Sequence, residues 1–367
     1  MFRQQPMPNK RYFAMITKRL SVSAGALFSA APLGMAGLIM MSLGTAVSAD
    51  TQVSIHDPVM AQEGNTYYLF STGPGVTVYS SQDRQTWVHE GRVFEPEPDW
   101  AREVVPGFEG HLWAPDIIEH EGQFYLYYSV SAFGLNTSAI GVTVNATLDP
   151  ESPDYHWRDQ GVVLQSVPNR DLWNAIDPNI IIDEEGVAWM SFGSFWGGLK
   201  LVRMADNLID LAQPEEWYSL AKLERPAFVP DREAGPAEIE APFIFKHGDY
   251  YYLFVSYGKC CRGEDSTYHM AVGRSSDVRG PYLDQDGIDM ASGGGTVILE
   301  GNNEWYGVGH NSIYEFDGQD YLVFHAYEAA DEGLQKLKIA AIEWADGWPV
   351  VSESSLEEYE SQLLLNE

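Results

Sequence analysis

The chain has 367 residues, 45% hydrophobic and 13% aromatic, enough apolar material for a large buried core in one big domain or two smaller ones. Its 53 acidic against 22 basic residues give a formal net charge of −31, which argues against nucleic acid and other polyanions as partners and favours an uncharged or cationic substrate. The two cysteines are adjacent, Cys260 and Cys261, so a framework of spaced disulfides is excluded; reduced thiols and a bond between neighbours both stay open.

Residues 1–49 differ in kind from the rest. They carry Arg3, Lys10, Arg11, Lys18 and Arg19, no acid, then a mostly apolar run from Leu20 to Gly44 and the small residues Val47-Ser48-Ala49. This reads as a secretory signal peptide cleaved before Asp50, with an uncleaved anchor as the alternative because the run is long enough to span a bilayer. The predicted organisation is therefore 1–49 leader and 50–367 one catalytic domain, secreted or periplasmic, with no membrane partner once the leader is removed.

From residue 52 onward one pattern recurs. Asp57-Pro58 leads through Gly64-Asn65 to Tyr67-Tyr68-Leu69-Phe70; Pro115-Asp116 leads through Gly122 to Phe124-Tyr125-Leu126-Tyr127-Tyr128; Asp177-Pro178 leads through Gly186 to Ala188-Trp189-Met190. Glu240-Ala241-Pro242 leads through Gly248 to Tyr250-Tyr251-Tyr252, and His310-Asn311-Ser312 through Gly318 to Tyr321-Leu322-Val323. Each copy is a β-hairpin, apolar strands either side of a glycine turn. The turn glycines are 58, 64, 62 and 70 residues apart, and a period of that size in an all-β sequence predicts one four-stranded sheet per repeat. Five copies predict a five-bladed β-propeller.

Between the hairpins, Glu95 to Pro106 reads as a surface loop, and Trp87 as packing in an outer strand. Pro58 is expected to hold Asp57 extended and so aim its carboxylate. Trp113 and Phe133 flank the second hairpin where a sugar ring could stack; core packing is the default for any one Trp, while for Phe133 core and cleft are evenly weighed. Asn174 stands before the third inner strand, and Trp196 beside Gly197-Gly198 offers a rim where backbone can approach a ligand closely.

The polar residue that opens each copy, Asp57, Asp116, Asp177, Glu240 or His310, sits at nearly the same phase of its repeat, within two residues. If each opens an innermost strand, these side chains converge on one mouth of the channel. Any one alone is most simply a satisfied strand-end group. Carboxyl groups meeting in an aromatic-lined funnel suit glycoside hydrolysis: one acid protonates the leaving oxygen while a carboxylate activates water or attacks the anomeric carbon. Glu240 is the longest and follows apolar Ile239, so it is assigned as acid, Asp57 as base and Asp177 as modulator; chemistry alone permits permutation. Asp116, Trp113, Phe133, Asn174 and Trp196 are the candidate substrate-binding residues.

Taken together, His56-Asp57-Pro58, Trp113-Ala114-Pro115-Asp116, Ile176-Asp177-Pro178-Asn179, Ile239-Glu240-Ala241-Pro242 and Gly309-His310-Asn311-Ser312 resemble the blade-opening motifs of glycoside hydrolase family 43. Within it, Gly258-Lys259-Cys260-Cys261-Arg262-Gly263, with Ser266-Thr267-Tyr268 and Val272-Gly273-Arg274-Ser275, is similar to the endo-1,5-α-L-arabinanases. The resemblance covers about residues 52 to 345. It implies an inverting hydrolase of α-1,5-linked arabinan, the neutral side chain of pectin, with Asp57 as base, Glu240 as acid and Asp177 as pKa modulator. It also implies that His310 holds one hydrated metal ion, calcium in most members. An exo-acting arabinanase, an α-L-arabinofuranosidase or a β-xylosidase shares this chemistry, and a non-catalytic sugar-binding propeller is the reading from another class.

Overall fold

The structure is a computed structural model that describes residues 49–50 and 52–357; the leader read at residues 1–49 lies, but for Ala49, outside them. Among the described residues five larger antiparallel sheets follow one another along the chain, and a two-stranded sheet, Glu343–Ala345 with Trp348–Val350, follows the fifth. The innermost strands of the five are Val59–Glu63, His111–His120, Asn179–Ile182, Ile239–His247 and Trp305–Phe316. Side chains from all five of these strands line one cavity of about 410 Å³, so the sheets stand around a shared axis as propeller blades. Among the described residues no helix is long and apolar enough to cross a membrane.

The blades are less uniform than the period predicts. The third and fourth have four strands; the first and second gain a two-residue strand each, and the fifth has three. The fifth is completed from the other end of the domain. Leu337 N–H donates to Val53 O at 3.0 Å, and Val53 and Ile55 are buried against Phe316, Val323 and Leu337. The ring is thereby closed by the stretch that precedes the first inner strand.

Among the described residues the apolar core falls into five clusters, one at each contact between neighbouring blades. Aromatic second strands supply most of its largest side chains: Phe70, Tyr127, Tyr128, Tyr252, Phe254, Phe324 and Tyr327 are almost wholly buried, and Trp87 is too, as its place in an outer strand suggested. The proline-rich stretch read as a loop at Glu95 to Pro106 contains one helical turn, Ala101–Val104. Ala101 and Val105 are both fully buried between the first two blades, so their spacing of about one turn gives the segment an apolar side the composition hid.

The cysteines form a disulfide between neighbours, Cys260–Cys261. It lies in the turn after the second strand of the fourth blade, where Cys261 N–H donates to the Tyr327 hydroxyl at 2.7 Å.

Candidate active site

Each inner strand carries, just before it or within it, the same backbone irregularity. Asp57, Ala114, Asp177, Ala241 and His310 adopt positive φ of 54°, 44°, 58°, 56° and 51°. None is glycine, and each such residue costs about 1–3 kcal/mol unless its surroundings hold it there. The expectation that Pro58 keeps Asp57 extended therefore fails. In the second, fourth and fifth blades the register against the next strand shifts at this point, as in a β-bulge, which turns one residue out of the ladder and into the mouth.

What holds these residues is a bond across the blade junction. Asp57 N–H donates to His325 Nδ1 (3.2 Å), Ala114 N–H to Thr72 Oγ1 (2.8 Å), Asp177 N–H to Ser129 Oγ (3.1 Å) and His310 N–H to Ser256 Oγ (2.8 Å). Each acceptor belongs to the end of the previous blade's aromatic second strand or the residue just after it. At the fourth blade the bond differs: Ala241 N–H donates to the Asp177 carboxylate at 3.2 Å, and the Ser194 hydroxyl donates to Glu240 Oε2 at 2.6 Å.

Asp57, Asp177 and Glu240 are thus gathered at one mouth, close enough for the charges of Asp57 and Glu240 both to act on Asp177. Their environments separate them. Around Asp57, burial pushes the carboxyl upward, but the facing His310, His325 and His56 rings and the Thr72 hydroxyl outweigh it and hold the group below the usual carboxylate range. His310 Nδ1 stands 3.1 Å from Oδ1, and Thr72 donates to Oδ2 at 2.5 Å. His325 accepts the Asp57 N–H on Nδ1, so its neutral ring carries the proton on Nε2, and burial keeps it neutral.

Asp177 and Glu240 go the other way. Burial raises both, and for Asp177 the neighbouring Glu240 and Asp57 charges raise it further, so the buried pair retains a proton. Two donors temper Glu240, Ser194 on Oε2 and the Tyr268 hydroxyl on Oε1. Tyr268 is itself buried and its hydroxyl held far above its usual range by burial, so it remains a donor. Gly309 makes room for that ring: a Cβ there would stand 2.4 Å from Tyr268 Cδ2.

The other residues singled out in the sequence are scattered more widely. Trp113 is half-buried and stands one residue before Ala114, whose N–H bonds the same Thr72 hydroxyl that donates to Asp57. Phe133 is 80% exposed on the loop after the second strand of its blade. Asn174 is buried, with Oδ1 free of any protein partner. Asp116 is not at the mouth. It lies two residues beyond Ala114, is pushed up to about 7 by burial, and accepts the N–H of Ile180 at 2.7 Å. Asn179 does the same for Ile244 one blade on, at 2.9 Å, so Asp116 belongs to a deeper ring of junction bonds. Trp196 is only 2% exposed and donates Nε1–H to Asp231 O at 2.9 Å; it supports a loop rather than facing a ligand. The close approach at Gly197 is to the carbonyl of Leu172, which an added Cβ would meet at 2.4 Å.

Sequence reasoning assigned no role to Thr72, Ser194, Tyr268 or His325. A signal for three of them exists: every aromatic second strand carries Ser, Thr or His within three residues of its end, as at Thr72, Ser129, Ser194, Ser256 and His325.

One carboxylate ready to take a proton and another ready to give one, set at the mouth of a propeller, define the class of the molecule as a glycoside hydrolase. A model of the family described as glycosyl hydrolases family 43 matches residues 51–349. The extracellular exo-α-(1→5)-L-arabinofuranosidase of Cellvibrio japonicus is 63% identical over 314 residues, covering 85% of this chain and 90% of the relative. The extracellular endo-α-(1→5)-L-arabinanase 1 of Bacillus subtilis is 39% identical over 329 residues, covering 88% of this chain and 96% of the relative. The solved α-L-arabinanase of Cellvibrio cellulosa, complexed with arabinohexaose, superposes with a TM-score of 0.83 at 63% identity, covering 84% of this chain and 98% of that one. This chain belongs to glycosyl hydrolase family 43.

Proposed function

We propose that the protein hydrolyses α-1,5-linked L-arabinan with inversion at the anomeric carbon, outside the inner membrane. Support for the linkage comes from the names of its relatives, which include arabinan-cleaving enzymes called extracellular. Support for the chemistry comes from one observation: buried carboxyls at a single mouth are driven in opposite directions, Asp57 down and Glu240 up. Asp57, ionised, takes a proton from water as the water oxygen bonds to the anomeric carbon. Glu240 gives its proton to the glycosidic oxygen as that bond breaks. The proton Asp57 gains replaces the one Glu240 loses, and exchange with solvent resets the pair. Asp177 is pinned at both ends, N–H to Ser129 and Oδ2 to Ala241, so it tunes and positions rather than transfers.

A cation on His310 is part of the proposal in one form only. Among the described residues no three His, Cys, Asp or Glu side chains are grouped to cage a metal, and His310 presents Nδ1 to Asp57. His310 would thus be the protein's contact, and calcium, which prefers oxygen, would take its remaining ligands from water. When bound it would supply positive charge beside Asp57; the proton transfers above use only this chain's groups.

Incubating the protein with linear arabinan, with xylan as control, tests the linkage: reducing sugar is expected from arabinan alone, and release from neither sinks the reading. Attack within the chain is the mode read from the sequence, whereas the relative at 63% identity is named exo-acting and that at 39% endo-acting. Viscosity measured against reducing ends assigns the mode, since internal cuts drop viscosity early. The configuration of the first product, read by NMR, tests inversion, and activity after chelation tests the cation.

A further inference from the structure

Four loops on the catalytic face are tied to one another in series. Asn136 donates from Nδ2 to Asp171 O (2.9 Å) and Trp173 O (3.1 Å); Gly197 N–H donates to Leu172 O (3.0 Å); Trp196 Nε1–H donates to Asp231 O. The last loop, residues 222–238, runs from the outer strand Trp217–Ala221 of the third blade to the inner strand Ile239–His247 of the fourth, so it crosses this face toward Glu240. Arg225 braces it from inside, donating to the carbonyls of Pro230, Glu233 and Ala234. A loop so bonded is held in shape rather than left to pack by chance.

This ridge carries apolar side chains outward. Phe133 is 80% exposed, Leu172 42% and Phe228, in the last loop, 86%. Phe228 and Phe133 are the two most exposed large apolar side chains among the described residues, and both lie on the one ridge. The ridge is fixed to the chemistry as well, because Trp196 follows by two residues the Ser194 whose hydroxyl holds Glu240. An isolated surface phenylalanine needs no explanation. A braced loop that presents one on the segment leading into the acid's own strand does.

We propose that Phe228 forms a further sugar-binding subsite, on which a furanose ring of the arabinan chain stacks beyond the residues joined by the scissile bond. The proposal rests on the reading of arabinan as substrate. Aromatic faces meet the C–H faces of neutral sugars with little desolvation of polar groups, and the strong negative charge of the chain suits a neutral polymer. Such a subsite is reached only by chains long enough to extend from the carboxylates to the ridge.

The test compares Phe228→Ala with the unmodified protein on long linear arabinan and on arabinotriose. The ratio of KM for the polymer to KM for the trisaccharide is expected to rise about fivefold to tenfold, and Phe228→Trp to restore it. Titration of long arabinan into each form carrying Glu240→Gln as well reads the same loss of affinity without turnover. An unchanged ratio with unchanged affinity overturns the subsite, and an equal loss on both substrates together with a lowered melting temperature shows a structural role instead. Absence of arabinan hydrolysis by the unmodified protein is a separate outcome, which removes the reading of the substrate and the subsite with it.

Discussion

Four of the five blade junctions resemble one another, and the junction between the third and fourth blades departs from them. At the four, a residue forced to positive φ gives its N–H to a hydroxyl or imidazole of the preceding second strand or the residue just after it, which fastens the ring; of these acceptors Thr72 also donates its own proton to Asp57. At the fifth, the Asp177 carboxylate takes the Ala241 N–H, and Ser194, released from the fastening, donates to Glu240. The difference teaches how a repeating scaffold makes one position reactive. The same kind of group, at the same place in its repeat, serves stability at one junction and proton chemistry at the next.

The carboxylates themselves give the largest effects. Asp57→Asn and Glu240→Gln are each expected to lower kcat on arabinan about 10²–10⁴-fold, the usual worth of a positioned acid or base. The two should part on an aryl arabinoside, whose good leaving group needs no proton: Glu240→Gln then recovers much of its rate and Asp57→Asn does not. Recovery by Asp57→Asn would reverse their roles.

Substitutions of the junction hydroxyls test the comparison itself. Ser194→Ala removes a donor that favours ionised Glu240, so the acid rises further and the alkaline limb of the pH–rate profile should move up by about one unit. Ser129→Ala leaves the buried N–H of Asp177 without its acceptor and should cost about 1–3 kcal/mol in urea denaturation. If Ser194→Ala is the one that destabilises most and leaves the pH profile unmoved, the two junctions do not differ as described.

A purely pH-dependent effect on stability concerns the deeper ring. Asp116 is held at about 7 when folded against 3.8 for a free aspartate, so its contribution is full at low pH and is lost as pH rises from about 4 to about 7. Asp116→Asn keeps an acceptor for Ile180 and should flatten that fall, gaining up to about 4 kcal/mol at pH 8 and nothing at pH 3. Parallel stability curves for the two proteins would rule this out.

The blade count and the gathering of Asp57, Asp177 and Glu240 were legible because both follow from repetition: glycine turns set the period, and an equal phase around a ring means a shared end of the channel. Asp116 was misplaced for a reason the string does not show. In the second blade the residue at positive φ is Ala114, which carries no functional group, and Asp116 follows it by two residues, whereas Asp57 and Asp177 hold that position themselves and Glu240 precedes Ala241 by one. Trp196 was misread because exposure depends on a loop more than thirty residues later in the chain, whose Asp231 carbonyl covers it. Thr72, Ser194 and His325 lie in plain sight at the ends of aromatic strands, but which hydroxyl faces a carboxylate and which a backbone N–H is decided across blades.

The division of labour between Glu240 and Asp57 is tested most directly by the pH dependence of kcat/KM on linear arabinan for the unmodified protein and for Glu240→Gln. The unmodified protein should lose activity on the alkaline side as the raised Glu240 carboxyl ionises and on the acid side as Asp57 protonates. In Glu240→Gln the alkaline limb should vanish while the acid limb stays. An alkaline limb that survives the substitution would mean that another group supplies the proton.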